Sequence, residues 1–505
     1  MTFFAMLIGL LIRSAAAANT IKVGDWWTDT NGNFIQGHGG VVTRVENYDC
    51  FNNGTKGCWV WFGEDKTWDF GIHGYASTDL YNWEDKGMAL FTHEMMPEQL
   101  DGLGTGITHN IDNLRELKRR GNLKAPEEGV SEYDIKRAHD FLKAYATKTD
   151  EEGNFIEYDE MSLIVGFKYL YRKFATVERP KFIYNKKYNN YVIAFHMDGP
   201  GDWDIVDWIK NGMGDYGYSN YVRASIGFAV SDTPFGPYKL VNVQRMHWVE
   251  GWHDESRGMA RDMTIYKDTD DMVYAIYSSE ENQFMYISRL DDTYTTWATP
   301  QEFAKDRIDF KGRILDSWSR EAPAIFKYDG YYYLMTSGCS GWAPNAATVH
   351  RSTMLYGPYE EIGNPCDGDG SDRTFDSQST YFVDIDAANG KVMYFGDRWW
   401  SNDLEHSRYV WLPVYINKKE HRFNLYYTEE WKLEDFYDED LIKFKSTSDN
   451  SLQSIVSNIK KKVTKVNIVT IAAITIGVVS LIAIVSIVIY TIRKKKDLKN
   501  TYNEV

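Results

Sequence analysis

Short apolar segments alternate with polar turns along most of the chain, and the alternation comes in units. Each unit opens on polar residues, runs into a short apolar strand, turns, and returns as a strand rich in aromatics. His38, Gly39 and Gly40 lead into Val41 and Val42, with Trp59, Val60, Trp61 and Phe62 as the return. Glu178, Arg179 and Pro180 lead into Phe182 and Ile183, returning at Tyr191 and Val192. Arg261 and Asp262 lead into Met263 and Ile265, returning at Val273 and Tyr274. Glu321, Ala322 and Pro323 lead into Ile325 and Phe326, with Asp329-Gly330 before Tyr331. Gln378, Ser379 and Thr380 lead into Tyr381 and Phe382, with Asn389-Gly390 before Val392. Asp-Gly and Asn-Gly between apolar runs are hairpin signals, because those residues tolerate positive φ. Gly236-Pro237 and Gly357-Pro358 mark turns after a third strand. A repeated unit of three or four strands is what a propeller blade requires, so five copies predict an all-β fold, a five-bladed β-propeller. A β-sandwich would carry the same alternation.

The texture changes between the first and second units. Residues 112–120 and 131–145 have helical spacing, and Ser131 with Asp134 resembles a capping box. A helical insertion is expected there, about 92–174, on the rim of a domain spanning 19–440. Residues 441–465 turn polar and Ser/Lys-rich, as a stalk would.

The ends suggest a compartment. An apolar run at 3–12 followed by Ala15 to Ala18 reads as a signal peptide over 1–18. Residues 466–492 hold no charged side chain, enough for one C-terminal transmembrane helix, with a cytoplasmic tail at 493–505. Basic residues flank that stretch on both sides, so charge does not orient it. The signal does: a single-pass type I membrane protein of the cell surface or endomembranes, with an extracytoplasmic domain. Four cysteines suit that setting. Cys50 and Cys58 bracket the glycosylation sequon at Asn53, and Cys339 and Cys366 remain, so two short-range disulfides are the simplest of three pairings.

Composition narrows the chemistry. The net charge of −16 argues against nucleic acid as a partner. The 35 Tyr, 25 Phe and 17 Trp suit either strands or the apolar faces of a sugar. Cysteine spacing does not resemble a zinc site, and no phosphate-binding loop is present, so neither metal nor cofactor is inferred.

In a propeller the innermost strands converge, and their first residues meet at one mouth. Here those are His38, Glu178, Asp262, Glu321 and Gln378. Three carboxyls around one axis push at least one pKa upward, and a protonated acid beside an ionised one equips a site for glycoside hydrolysis. A set of solvated loop acids is the plainer alternative.

At these residues the chain resembles glycoside hydrolase family 43, most of all its exo-β-1,3-galactanases. The resemblance is carried by Glu178-Arg179-Pro180, Arg261-Asp262-Met263-Thr264, Arg320-Glu321-Ala322-Pro323 and Ser377-Gln378-Ser379-Thr380. Ser337-Gly338-Cys339-Ser340-Gly341-Trp342 and Gly396-Asp397-Arg398-Trp399 add to it. It implies an inverting enzyme with Glu321 as general acid and Asp262 as the carboxylate that orients Glu321 and raises its pKa. The family's usual aspartate base is absent at His38, and the galactanase branch implies Gln378 in its place. A neutral amide is a poor base. Gln378 would act as an imidic tautomer or position water, with Asp376 or His38 as other proton acceptors. The resemblance implies Glu178 as a holder of galactose hydroxyls, and Trp342 is the choice for stacking on the sugar. His38, Ser340, Asn345 and Arg398 complete the expected substrate contacts. The expected activity is release of terminal β-1,3-linked galactose from galactan or arabinogalactan-type glycans by a membrane-anchored enzyme. The alternatives are a lectin or adhesin that has lost turnover, or an arabinosidase or xylosidase. Inversion calls for roughly 6.5–9.5 Å between the acid and the water-holding residue.

Overall fold

A computed structural model describes residues 19–67, 71–91, 176–199, 221–246, 258–298, 312–316 and 319–437. All of these belong to the first of two units of the chain, Met1–Ser446. The expected signal peptide, helical insertion, stalk and transmembrane helix lie outside the described residues.

Each sequence unit becomes one antiparallel sheet. The strand His38–Val45 pairs with Cys58–Asp65, which pairs with Gly71–Ser77 and then Glu84–Phe91. The second sheet runs Thr176–Asn185, Asn190–Asp198, Ser225–Ser231, Lys239–Gln244. The third runs Met263–Lys267, Val273–Ser279, Phe284–Arg289, Arg313–Leu315, and the fourth Arg320–Tyr328, Tyr331–Gly338, Thr348–Ser352, Glu360–Gly363. The fifth holds Gln378–Asp386, Lys391–Arg398 and Arg408–Pro413. A further three-stranded sheet joins Cys366–Asp367, Arg422–Tyr426 and Tyr415–Asn417, with Cys366 opposite Leu425 in parallel. Ile21–Lys22 pairs with Glu430–Trp431, tying the two ends of the described chain together.

The expected blade count is corrected here. Counted by sheets of three or more strands, the propeller has six blades, not five. The sixth sheet carries no hairpin signature, because it is assembled from short segments lying on either side of the fifth. Among the described residues, moreover, no helix is long and apolar enough to cross a membrane.

The core lies between the sheets. Phe62, Ile72, Phe182 and Phe195 fill the space between the first and second sheets. Met263, Tyr277, Ile226 and Phe228 fill that between the second and third. Trp61, Tyr333, Tyr394, Tyr409 and Trp411 form an aromatic layer joining the first, fourth and fifth. Most aromatics of the return strands are thus packing residues, as β-propensity alone would have it.

The turns follow the sequence unevenly. Asp329 and Gly330 both adopt positive φ, 49° and 79°, which a two-residue hairpin requires. At the fifth sheet Ala387–Asn389 instead forms a 3-10 turn, with only Gly390 left-handed. Cys50 and Cys58 form a disulfide, and Asn53 is exposed on the loop they close. The second expected disulfide is not formed. Cys366 is buried in the aromatic layer, whereas Cys339 is exposed beside Glu321 and hydrogen-bonded to it.

Candidate active site

The leading strands of the five units lie against one another in turn, which brings their first residues together. Three of these strands share a local device. Pairing slips between His38 and Val41, between Glu178 and Lys181, and between Glu321 and Ala324. The residue after each head is left-handed: Gly39 at 59°, Arg179 at 54°, Ala322 at 52°. Gly40, Pro180 and Pro323 follow, and a proline has no ladder N–H to lose. Such a bulge turns the side chain before it out of the strand's alternation.

A left-handed non-glycine residue costs on the order of 1–3 kcal/mol, so something must hold it. Here a carboxylate accepts each amide. The Gly39 N–H donates to Asp397 Oδ2 at 3.0 Å, Arg179 to Glu64 Oε1 at 2.7 Å, and Ala322 to Asp262 Oδ2 at 3.1 Å. Asp262 therefore does more than charge its neighbour, since it anchors the bulge that aims Glu321. The carbonyls turned aside by the first two bulges are met by Lys181. Its buried Nζ donates to the carbonyls of Gly39 at 2.8 Å, Arg179 at 3.3 Å and Pro180 at 3.4 Å. Burial, with Arg179 nearby, pushes this ammonium down to about 7.

Arg179, buried to 4% exposure, is the hub. One guanidinium nitrogen donates to the Ser379 carbonyl at 2.9 Å. The other donates to Asp262 Oδ2 at 3.1 Å and to Gln378 Oε1 at 2.5 Å. Trp399 Nε1 donates to the same Gln378 oxygen at 3.0 Å. Arginine and tryptophan are donors only, so the amide orientation is fixed: its oxygen faces them and its nitrogen faces away. That nitrogen donates to Glu321 Oε1 and Ser337 Oγ, both at 3.0 Å. An imidic tautomer would set a hydroxyl against two obligate donors. These surroundings favour Gln378 as a positioning group and oppose it as a base.

Glu321 and Gln378 are in direct contact, which differs from the wider spacing expected for inversion. The contact arises because two neighbouring leading strands place their heads side by side. The Glu321 carboxyl is pushed up to about 7, first by burial and then by the Asp262 charge, against the pull of Arg179.

Glu178 has the opposite fate. Burial alone would raise its pKa, but His196 and Lys66 hold it down at about 2. His196 Nδ1 lies 3.2 Å from Glu178 Oε2 and its Nε2 lies 2.9 Å from Asp198, so the imidazole is sandwiched between carboxylates. Their charges outweigh its burial and lift it to about 10. Tyr221 donates to Glu178 Oε1 at 2.7 Å. Donor atoms of Glu178, His196 and Asp262 lie within 4.8 Å of one another, the spacing of a metal cluster.

The remaining expected residues divide. Trp342 is exposed, at 47%, and its ring meets Trp399 edge-on with centroids 5.5 Å apart, so it stands at the lip of the pocket with Gln378, Ser337 and Asp376. His38 is fully buried, stacked on Tyr409 at 5.0 Å and facing Asp397, and has no face toward the sugar. Asn345 and Ser340 are occupied within their own loop. Asn345 exchanges hydrogen bonds with both backbone groups of Gly338 and donates to Ser340 Oγ at 2.6 Å, while Ser340 donates to the Ala343 carbonyl. Arg398 lines the pocket wall, but its guanidinium is tied to the carbonyls of Phe375 at 2.7 Å and Gly24 at 3.4 Å. Sequence reasoning missed Arg179, Glu64, Lys181, His196 and Trp399 as members of the site. The signal available was the charged residue before Pro180 at a strand head.

A head-to-head ring of half-buried acids, one raised toward neutrality and one held ionised, is the equipment of a propeller glycoside hydrolase. The comparisons agree. Residues 209–367 match the model of glycosyl hydrolases family 43. A GH43 β-1,3-galactosidase of known structure is 26% identical, with a TM-score of 0.55 over 83% of this chain and 65% of that one. A second, solved with galactodeoxynojirimycin, is 26% identical, with a TM-score of 0.53 over 82% of this chain and 100% of that one. The Phanerochaete chrysosporium exo-β-1,3-galactanase, solved with β-1,3-galactotriose, shares the fold at 24% identity and a TM-score of 0.52, over 82% of this chain and 68% of that one. No curated protein matches the chain. The chain is thus similar to glycosyl hydrolases of family 43 over 209–367, and in fold to β-1,3-galactosidases of that family.

Proposed function

We propose that the protein is an inverting exo-glycosidase that removes terminal β-1,3-linked galactose from galactan or arabinogalactan-type glycans. The observation that carries this reading is Glu321: aimed by an anchored bulge, raised to about 7, and hydrogen-bonded to an amide whose orientation is fixed. The names of the relatives support the substrate class, since they are β-1,3-galactosidases and galactanases.

In this reading Glu321 gives its proton to the leaving glycosidic oxygen. The bond between Glu321 and Gln378 is a resting contact that the substrate breaks, opening the room that water needs on the far face of the sugar. Gln378, braced by Arg179 and Trp399, holds that water. Of the two carboxylates lining the pocket, Asp397 is buried and committed to Gly39 and Thr380. Asp376, more exposed although its Oδ1 accepts from Arg373 Nε at 2.7 Å, is the acceptor assigned to the water proton. Glu178, ionised throughout, accepts hydroxyl hydrogens from the terminal sugar, and Trp342 offers its face. The Cys50–Cys58 disulfide supports work in an oxidising compartment, the cell surface or the endomembrane lumen.

The test is incubation with β-1,3-galactan, arabinan and xylan oligosaccharides. Galactose released by the wild type and not by Glu321→Gln is the expected result. Tight binding with no hydrolysis would make the protein a lectin, and release of arabinose or xylose alone would move it to another specificity.

A further inference from the structure

Seven large hydrophobic side chains are exposed among the described residues: Trp26, Phe34, Tyr188, Tyr221, Trp342, Met354 and Trp400. Tyr221 and Trp342 already belong to the site, through Glu178 and Trp399. Three more sit beside it. Trp400 follows Trp399 directly in the chain, and its carbonyl accepts the Asp403 N–H at 2.8 Å at the start of the turn that carries His406. Trp26 Nε1 donates to the His406 carbonyl at 2.9 Å, and the Phe34 ring meets the His406 ring edge-on at 4.9 Å. Trp26 and Phe34 are 6.2 Å apart, tilted by 55°.

Topology places this cluster at the mouth. The strand Lys391–Arg398 ends at the site, and Arg408–Pro413 starts back from it, so the connection carrying Trp400 and His406 lies on that side. The segment holding Trp26 and Phe34 runs straight into His38, the head of the first leading strand. The rim between the first and fifth sheets therefore carries aromatics from two separate segments of chain, continuous with the pocket wall.

We infer that Trp26, Phe34 and Trp400 form a platform that carries the part of the glycan lying outside the catalytic pocket. This rests on the proposed function and extends it, from recognition of one terminal sugar to recognition of chain length. A sugar ring has apolar faces and hydroxyl edges, and the rim supplies partners for both. Arg408 lies over Trp26 with its guanidinium carbon 4.4 Å from the ring centroid, and the Asp403 carboxylate pairs with His406 at 2.9 Å. Continuity with Trp399 selects the occupant. A chain whose end is held against Gln378 and Trp342 has to leave across this rim or across the other sheets, and among the described residues it is here that exposed aromatics extend the pocket wall. These three residues touch no group assigned to bond cleavage, so the platform acts on binding alone.

The experiment uses the full chain carrying Glu321→Gln, titrated with β-1,3-galacto-oligosaccharides of two to six units, with and without Trp26→Ala, Phe34→Ala and Trp400→Ala. Affinity is expected to rise about tenfold or more with length on the intact rim and to stay flat on the altered one, each tenfold being about 1.4 kcal/mol. Trp400→Ala alone serves as the check on folding, since its neighbours are held through backbone groups and its melting temperature should match the parent. The companion measurement is hydrolysis by otherwise wild-type protein, where the rim variants should lose kcat/KM on polymer and keep it on disaccharide. Hydrolysis with affinity that does not depend on length, or equal losses on short and long substrates, overturns the platform and leaves the proposed function standing. No hydrolysis and no binding at any length overturns both.

Discussion

Glu178 and Glu321 open two versions of one motif, a glutamate, a left-handed residue and a proline, yet they finish in opposite protonation states. Both are drawn out of solvent, and burial pushes both carboxyls upward. At Glu178 that push is overcome by a charged imidazole, a tyrosine hydroxyl and Lys66. At Glu321 the strongest charge effect is the like charge of Asp262, and Arg179 divides its cation between Asp262 and Gln378. Identical backbone devices therefore present two acids, and the partners across the ring decide which keeps its proton. In the proposed function the contrast separates a proton donor from an acceptor of sugar hydroxyls.

Substitutions can break this contrast from either side. The largest effect is expected at Glu321→Gln, which removes the proton donor and should lower kcat roughly 100- to 10,000-fold with the fold intact, as steady-state rates and circular dichroism would show. Gln378→Ala should cost about 100-fold in kcat, because water loses its holder while Glu321 stays aimed by the Ala322 bulge. Glu178→Gln should act mainly on binding. Losing one charged acceptor is worth about 1.5–3 kcal/mol, or a rise of roughly 10- to 100-fold in KM with a smaller change in kcat.

The Glu178–His196 pair also has a stability signature. His196, raised to about 10, contributes fully below its ordinary value near 6.5, and this contribution is lost as pH rises through about 10. Glu178, depressed to about 2, contributes above its ordinary 4.5, and this is lost as pH falls toward about 2. The pair is expected to hold the fold steadily from about pH 4.5 to 6.5, with melting temperature declining outside those limits. The smallest effect on activity belongs to Cys50→Ser with Cys58→Ser. It should cost about 2 kcal/mol of unfolding free energy in denaturant and leave kcat/KM unchanged, since the loop joins the end of the strand His38–Val45 opposite its head.

The strand heads were legible because apolar alternation and turn residues are local, and Glu178, Asp262, Glu321 and Gln378 all reach the site. Arg179 could not be read as a hub, since its partners Asp262, Ser379 and Gln378 come from two other parts of the chain, each remote in sequence. His38 fell inside for the same reason: Tyr409, on which it stacks, is supplied by the last strand of the fifth sheet. Asn345 and Ser340 looked free as residue types, and only the loop's closure shows that their polar atoms are used. The sixth sheet escaped because Cys366–Asp367 and Tyr415–Asn417 are too short to carry a period.

The central claim is that Asp262 and burial keep Glu321 protonated near neutral pH. The direct measurement is the pH dependence of kcat/KM on a short β-1,3-galacto-oligosaccharide for the wild type and Asp262→Asn. The wild type should lose activity as pH rises through about 7, where Glu321 ionises. Asparagine keeps an acceptor for the Ala322 amide and removes the like charge, so the falling limb should move to lower pH by about one unit. A limb that stays in place, or moves to higher pH, would contradict the account.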